Sequence, residues 1–471
     1  MITLNKVSFS YKGGQEKSLH EVSLHIPKGQ CVLLCGVSGC GKTMITRLIN
    51  GLVPHFFEGD LSGEITVNGL DAKQADILKL SDIVGTVFQN PRTQFFNTDT
   101  DSEIVFGLEN RGLPSEVLSH RLERVNEELH TQNLCGRSIF ELSGGEKQKI
   151  AFASVYATSP DIFVLDEPSS NLDYHSINEL KSFIKKIKQQ GKTIVVAEHR
   201  LWYLMDIADR VIFMENGRLI RDMGINEFAA LSENEIENMG LRARSLSDIK
   251  LAKADMNSEK KVFEVSDLTV KLGNKTILDD VSFRVNGGEI VAITGENGAG
   301  KTTLARALCG LNGEIGMVSL GGETLSSKRR REGSYMVMQD VGHQLFTDSV
   351  DAECSLGVAK PIKENIDEVL TLLSLSKLKE KHPLSLSGGQ KQRLAVAVSM
   401  LCGKEILIFD EPTSGLDFDS MNEVGALIKR LAEEGKIIII ITHDREFIQM
   451  ICSRVMVLES GKIRNSFKED L

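Results

Sequence analysis

Gly36-Val37-Ser38-Gly39-Cys40-Gly41-Lys42-Thr43 and Gly295-Glu296-Asn297-Gly298-Ala299-Gly300-Lys301-Thr302 are two copies of one pattern, G-x-x-x-x-G-K-[ST]. Each follows an apolar run, Cys31 to Cys35 in the first case, and leads into a stretch of helical character, Met44 to Leu48 or Leu304 to Leu308. A strand, a glycine-rich loop and a helix in that order make a cradle for a chain of phosphates. The glycines let backbone N–H groups approach the anion, and the helix N-terminus turns partial positive charge towards it. Lys42 and Lys301 are then expected on the outer phosphates, and Thr43 and Thr302 offer a hydroxyl to Mg2+.

The rest of the chain repeats around these loops. Leu142-Ser143-Gly144-Gly145-Glu146 recurs as Leu386-Ser387-Gly388-Gly389-Gln390, and Phe163-Val164-Leu165-Asp166-Glu167-Pro168 as Leu407-Ile408-Phe409-Asp410-Glu411-Pro412. Lys42 and Lys301 are 259 residues apart, whereas Ser143 and Ser387, and Glu167 and Glu411, are each 244 apart. The second copy has therefore lost about fifteen residues before its second motif, which surface loops absorb at small entropic cost. We expect a first domain over 1–228, a polar linker of mixed charge over 229–260, and a second domain over 261–471. Within each half, β-rich runs such as Ile162 to Leu165 and Thr193 to Ala197 alternate with helical stretches, the pattern of an α/β fold with a mostly parallel sheet and flanking helices.

Composition agrees with two folded domains. At 471 residues, 41% hydrophobic and 25% charged, the chain is too long for one core and too apolar for disorder. Its longest aliphatic run near the C-terminus, Ile437 to Ile441, fills a buried strand, while a spanning helix needs about 20 apolar residues. No secretory leader opens the sequence, so a cytoplasmic location is expected. A net charge of -10 gives no bulk attraction to phosphate backbones, and no nucleic-acid partner is expected. The eight cysteines lack C-x-x-C spacing and read as reduced, mostly buried thiols. Cys40 is the exception: beside Lys42 and a helix N-terminus, its thiol pKa is expected to fall, giving a reactive group that ATP would protect.

Three further positions carry chemistry. Asp166 and Asp410 end apolar strands, where a carboxylate can hold Mg2+. Glu167 and Glu411, one residue on, are placed to orient and deprotonate an attacking water. His199 and His443 each follow an apolar strand 32 residues after the glutamate and are candidates for a bond to a γ-phosphate.

Together with Gln89 and Gln339, these motifs resemble the ATP-binding-cassette (ABC) superfamily over nearly the whole chain, the Leu-Ser-Gly-Gly signature being the specific part. The resemblance implies two tandem P-loop domains, each with a parallel sheet core, an antiparallel β subdomain and a helical signature subdomain, using ATP and Mg2+. It assigns ATP binding to Tyr11, Gly36, Ser38, Gly39, Gly41, Lys42, Thr43, Met44 and Gln89, and to Gly295, Asn297, Gly298, Gly300, Lys301, Thr302, Thr303 and Gln339. Mg2+ falls to Thr43, Gln89 and Asp166 and to Thr302, Gln339 and Asp410. Signature residues are Ser143, Gly144, Gly145 and Glu146, and Ser387, Gly388, Gly389 and Gln390; Asp173 and Asp417 match the D-loop. It further implies head-to-tail pairing of the two domains, Lys42 with Ser387 and Lys301 with Ser143. Tyr11 stands where the family stacks an aromatic ring on adenine, and Leu272 takes that place in the second half, so the second site is expected to hold ATP more weakly.

Phe88-Gln89-Asn90-Pro91-Arg92-Thr93-Gln94-Phe95-Phe96, Glu103 to Asn110 and Glu198-His199-Arg200-Leu201 look like the energy-coupling-factor (ECF) group of prokaryotic importers in its fused form. That implies a motor on the cytoplasmic face of the membrane, docked on a transmembrane coupling protein and a substrate-binding membrane protein that take up a vitamin, a vitamin precursor or a metal ion. Asp340 to Phe346 follow Gln339, and a different docking surface is expected there. Two alternatives are a tandem ATPase acting on ribosomes or nucleic acid, against which the short mixed-charge linker counts, and the fused ATPase of a sugar importer, whose second phosphate loop is typically degenerate.

Overall fold

The computed structural model describes residues 1–13, 17–170, 172–246, 261–356, 358 and 362–465. Two compact units divide the chain, Met1–Ser245 and Leu246–Leu471. The strands of the first are Ile2–Tyr11 (β1), Leu19–Ile26 (β2), Cys31–Cys35 (β3), Gly59–Val67 (β4), Leu70–Asp71 (β5), Val84–Val87 (β6), Ile162–Asp166 (β7), Thr193–Ala197 (β8), Arg210–Glu215 (β9) and Arg218–Gly224 (β10). They form an antiparallel sheet of order β2-β1-β4-β5 and a six-stranded sheet of order β6-β7-β8-β3-β9-β10, parallel except for its edge strand β10.

The sequences of β3, β7 and β8 explain their central position. CVLLC, IFVLD and TIVVA are buried at every residue, as strands covered on both faces must be. Alternate side chains feed two cores. Leu33, Leu165 and Val196 meet the helices Gly144–Ala157 and Tyr174–Gln189 on one face. Val32, Leu34, Val164 and Val195 meet the antiparallel sheet and the helix Lys42–Ile49 on the other. Along Tyr174–Gln189 the buried residues are Ile177, Leu180, Phe183, Ile184 and Ile187, the stripe that a 3.6-residue period lays on one helix face.

The second unit repeats this plan with Val262–Leu272 (β11), Lys275–Asn286 (β12), Ile290–Thr294 (β13), Glu314–Leu320 (β14), Glu323–Thr324 (β15), Ser334–Val337 (β16), Ile406–Asp410 (β17), Ile437–Ile441 (β18), Arg454–Glu459 (β19) and Lys462–Asn465 (β20). Its sheets run β12-β11-β14-β15 and β16-β17-β18-β13-β19-β20, the same order strand for strand. The residues it has lost come partly from the short helix Leu52–His55 and partly from the helix Ser115–Leu129, whose 15 residues shrink to 10 in Lys363–Leu372.

The stretch expected as a linker begins instead as part of the first unit. Helices Ile225–Ala230 and Glu233–Asn238 carry Phe228 and Ile236 into its core, Leu241 joins them, and Arg244 donates to the carbonyls of Phe228 and Ala229 at 2.8 Å. Buried apolar area, not local composition, holds this extension in place. The remainder of the expected linker, 247–260, lies outside the described residues. Among the described residues no helix is long and apolar enough to cross a membrane.

Candidate functional site

In each unit the phosphate loop joins the end of a central strand to a helix. Gly36 has φ +145, and a Cβ there would lie 2.2 Å from the Met214 carbonyl oxygen; Gly295 repeats this against Leu458 at the same distance. Only glycine fits. Gly41 and Gly300, at φ +106 and +103, precede the helices Lys42–Ile49 and Lys301–Leu308, and no side chain caps either N-terminus. Ser38 and Gly39, like Asn297 and Gly298, form the exposed tip of the loop, while Met44 and Thr303 lie in the first helical turn. The lysines turn back over the loop: Lys42 donates to Gly36 O at 2.8 Å and Val37 O at 3.2 Å, and Lys301 to Gly295 O at 2.6 Å and Glu296 O at 2.9 Å. A concave loop lined by glycine backbone, an uncapped helix N-terminus and a buried ammonium suit a polyphosphate.

The proposed metal ligands converge beside it. Thr43 Oγ1 donates to Asp166 Oδ1 at 3.2 Å, and Thr302 Oγ1 to Asp410 Oδ2 at 2.9 Å. Burial pushes the carboxyl pKa of both aspartates up, with the threonine hydroxyl and the loop lysine pulling the other way. A buried oxygen donor set of this kind fits Mg2+. Gln89 and Gln339 follow β6 and β16 on exposed turns, and Gln89 Nε2 reaches Glu167 Oε2 at 2.6 Å.

Glu167 and Glu411 have left-handed φ values of 46° and 51°, and their N–H groups donate to Ala197 O and Ile441 O at 2.8 Å. This kink lifts the side chain off the strand line towards the phosphate side. His199 Nε2 stands 3.6 Å from Glu167 Oε1, and His443 Nε2 stands 3.8 Å from Glu411 Oε1. Loop, aspartate, glutamate and histidine therefore share the C-terminal ends of the parallel strands in each unit.

The other predicted residues stand at helix starts or strand ends. Ser143 caps Gly144–Ala157 in a reciprocal box, its N–H donating to Glu146 Oε2 at 2.7 Å and its Oγ accepting from Glu146 N at 3.3 Å; Ser387 does the same with Gln390. Burial alone would raise the Glu146 pKa, but the Ser143 bonds and Arg137 bring it below the usual range. Gly145 is buried behind that cap, and Gly389 lies against Leu416. Asp173 and Asp417 cap the helices that follow them, accepting from Ser176 N and Ser420 N at 2.8 Å. Tyr11 closes β1, with its hydroxyl accepting from Arg47 at 2.6 Å and its ring edge-on to Phe57. Strand register supports the pairing of copies: Leu4 faces Leu24 as Val265 faces Phe283, which carries Tyr11 onto Leu272, 53% exposed.

One expectation is corrected. Cys40 is 2% exposed, and burial raises its thiol pKa despite Lys42 Nζ at 3.7 Å; desolvation of the thiolate outweighs the nearby charge, so this is not an activated thiol. The loop after Gln339 shares the scaffold of the loop after Gln89, while the residues it carries differ, Asp340-Val341-Gly342-His343 in place of Asn90-Pro91-Arg92-Thr93. Turns Pro91–Thr93 and Val341–His343 are alike, and Gln94 and Gln344 each bridge the ends of the loop through Phe88 N with Thr86 O and Met338 N with Met336 O. Buried Glu103 accepts from Phe96 N and Asn97 N at 3.0 and 2.8 Å, and buried Glu353 from Phe346 N and Thr347 N at 2.9 Å. Phe96 and Phe346 are left 75% and 74% exposed. Glu103 and Glu353 were missed as structural determinants, although their spacing equals that of Gln89 and Gln339 and could have revealed them.

Known proteins share this design. The family model described as ABC transporter matches residues 19–170 and 278–414. A candidate ABC transporter ATP-binding protein of Treponema denticola is 68% identical over 470 residues, covering 98% of this chain and 96% of its own, and one of Methanosarcina mazei is 33% identical, covering 100% and 97%. An archaeal ribosome recycling factor, solved with a ribosomal stalk protein, superposes with a TM-score of 0.66 at 21% identity over 97% of this chain and 89% of its own, a likeness of fold. Two family matches, in the halves that hold the two phosphate sites, assign the chain: it belongs to the ABC transporter family as a tandem pair of ATPase domains.

Proposed function

We propose that the chain is the ATP-hydrolysing motor of a prokaryotic importer of the ECF type, peripheral on the cytoplasmic face of the membrane, working with separate membrane subunits that admit a vitamin, a vitamin precursor or a metal ion. The observation that carries this reading is the matched pair of loops with exposed Phe96 and Phe346, each braced by a buried glutamate. Phe96 stacks on Phe106 with ring centroids 5.1 Å apart, yet it and Phe346 still turn most of a large apolar surface to water on a braced loop, a feature that suits docking on an apolar partner. The Treponema denticola and Methanosarcina mazei relatives, described as transporter subunits, support the same reading.

In the chemistry we propose, the phosphate loop and Lys42 hold ATP, and Thr43, Asp166 and Gln89 hold Mg2+, which when bound neutralises charge on the reacting phosphoryl group. Glu167 orients a water and takes its proton as the water oxygen bonds the γ-phosphorus and ADP departs. His199 donates to the γ-phosphate oxygens. Lys301, Thr302, Asp410, Gln339, Glu411 and His443 repeat these roles in the second domain.

Purification of the tagged chain from its host's membranes in mild detergent should bring multi-pass membrane proteins with it, and replacing Phe96 and Phe346 together by alanine should remove most of them. Ribosomal proteins or nucleic acid in their place would overturn the importer reading. Base stacking on an aromatic ring is worth about 1–3 kcal/mol elsewhere. With each phosphate-loop lysine mutated in turn, the site bearing Tyr11 should therefore bind ATP at least about fivefold more tightly than that bearing Leu272; equal affinities would refute the stacking role.

A further inference from the structure

Behind the first ATP site, two loops of the same unit are tied together by buried charge. Glu198 is 2% exposed, and both its oxygens are occupied: Oε1 accepts from Ser169 N at 3.1 Å and the Tyr203 hydroxyl at 2.9 Å, Oε2 from His199 N at 2.7 Å and Arg200 N at 3.3 Å. Arg200, 8% exposed, donates to the carbonyls of Ser169 at 3.1 Å and Leu172 at 3.3 Å. The loop after β8 carries His199; the loop after β7 ends at Asp173. Buried charges are costly unless their hydrogen bonds are satisfied, so this cluster is an expensive way merely to fill space.

The second unit builds the same place differently. At the constant spacing of 244 residues, Glu198, Arg200, Tyr203 and Ser169 become Thr442, Asp444, Phe447 and Thr413. Thr442 Oγ1 donates to Glu411 Oε2 at 3.1 Å, and Thr413 Oγ1 donates to Asp444 Oδ2 at 2.8 Å. In the first unit the hydrogen bond at Glu167 Oε2 comes from Gln89 Nε2 instead, at 2.6 Å.

We propose that Arg200 and Glu198 are positioning residues for ATP hydrolysis in the first domain. They tie His199 to Ser169 and Leu172, so the histidine cannot engage a γ-phosphate without carrying those residues with it. In the second domain the threonine joins the histidine loop to the catalytic glutamate. The chain also carries its own probe of this motion. Trp202, the sole tryptophan, lies two residues past Arg200 and stacks on Tyr174, the residue after Asp173, with ring centroids 5.4 Å apart.

The test uses the full chain alone, so it stands whether or not membrane partners are found. With Glu411→Gln silencing the second site, Arg200→Met should lower the kcat of the first site about tenfold with KM within about twofold, the split expected of misplacement and not of lost binding. The change in Trp202 emission on adding MgATP should disappear as well. Thr413→Val, which removes the second unit's hydroxyl bond, should keep that emission change. Wild-type kcat with an intact emission change in Arg200→Met would overturn the proposal, as would a rise in KM matching the loss of kcat, or loss of the emission change in Thr413→Val as well. Should Arg200→Met not fold, Arg200→Lys, whose ammonium still reaches a carbonyl, is expected between the two in kcat; kcat equal to wild type would again overturn it.

Discussion

Glu167→Gln and Glu411→Gln should each bind ATP as tightly as the unaltered chain and hydrolyse it at least about a hundredfold more slowly at the altered site, the lower range for a lost general base. The amide keeps the shape of the carboxylate but cannot take the proton of the attacking water. Each glutamate sits on a left-handed residue at a strand end, with a histidine nitrogen 3.6 or 3.8 Å from its carboxylate. Single-turnover hydrolysis and filter binding of labelled ATP separate the two effects. Undiminished hydrolysis in both variants would remove the glutamates from the reaction.

Gly36→Ala should unfold or displace the first phosphate loop, at a cost of about 3 kcal/mol or more, and ATP binding there should be lost. The added Cβ would sit 2.2 Å from the Met214 carbonyl and 2.7 Å from Cys40 Sγ, in a backbone conformation that L-residues avoid. Gly295→Ala should do the same to the second loop. Gly39→Ala is the contrast: nothing lies within 4 Å of its Cβ, and only φ +79 is strained, so about 1 kcal/mol is expected. Denaturant unfolding of a two-unit chain can show two transitions, and each substitution should shift that of its own unit. A Gly36→Ala chain with the stability and ATP affinity of the parent would mean that the loop relaxes freely.

The motifs were legible in the sequence because anion binding and strand ends demand particular residues at fixed spacing. Apolar runs such as Ile437 to Ile441 announced central strands for the same reason. What could not be read depended on distant partners. Phe228, Ile236 and Leu241 look like punctuation in a polar stretch until a core exists for them to cover. Cys40 reads as activated from its neighbours in sequence, whereas its burial depends on the fold around it. Comparison of the two copies would have gone further: Glu103 with Glu353 keeps the spacing of Gln89 with Gln339. Thr442 in the place of Glu198 shows how far two halves of one design can drift in chemistry while keeping their backbone.

The order of strands also bears on how the chain is made. β3 is complete at residue 35, yet both its neighbours, β8 and β9, lie beyond residue 192. Parallel pairing across such a gap is slow, and a ribosome adding about 5–20 residues per second leaves β3 without a neighbour for roughly ten seconds or more. During that interval the antiparallel sheet β2-β1-β4-β5, complete at residue 71, can form, and β6 can pair with β7, but β3 stays unpaired. Once β9 emerges the first sheet can close, well before β13 or β18 exists to compete for its edges. Synthesis from one end thus keeps two near-identical folding problems apart in time, and a circular permutant that interleaved the halves would be expected to misassemble.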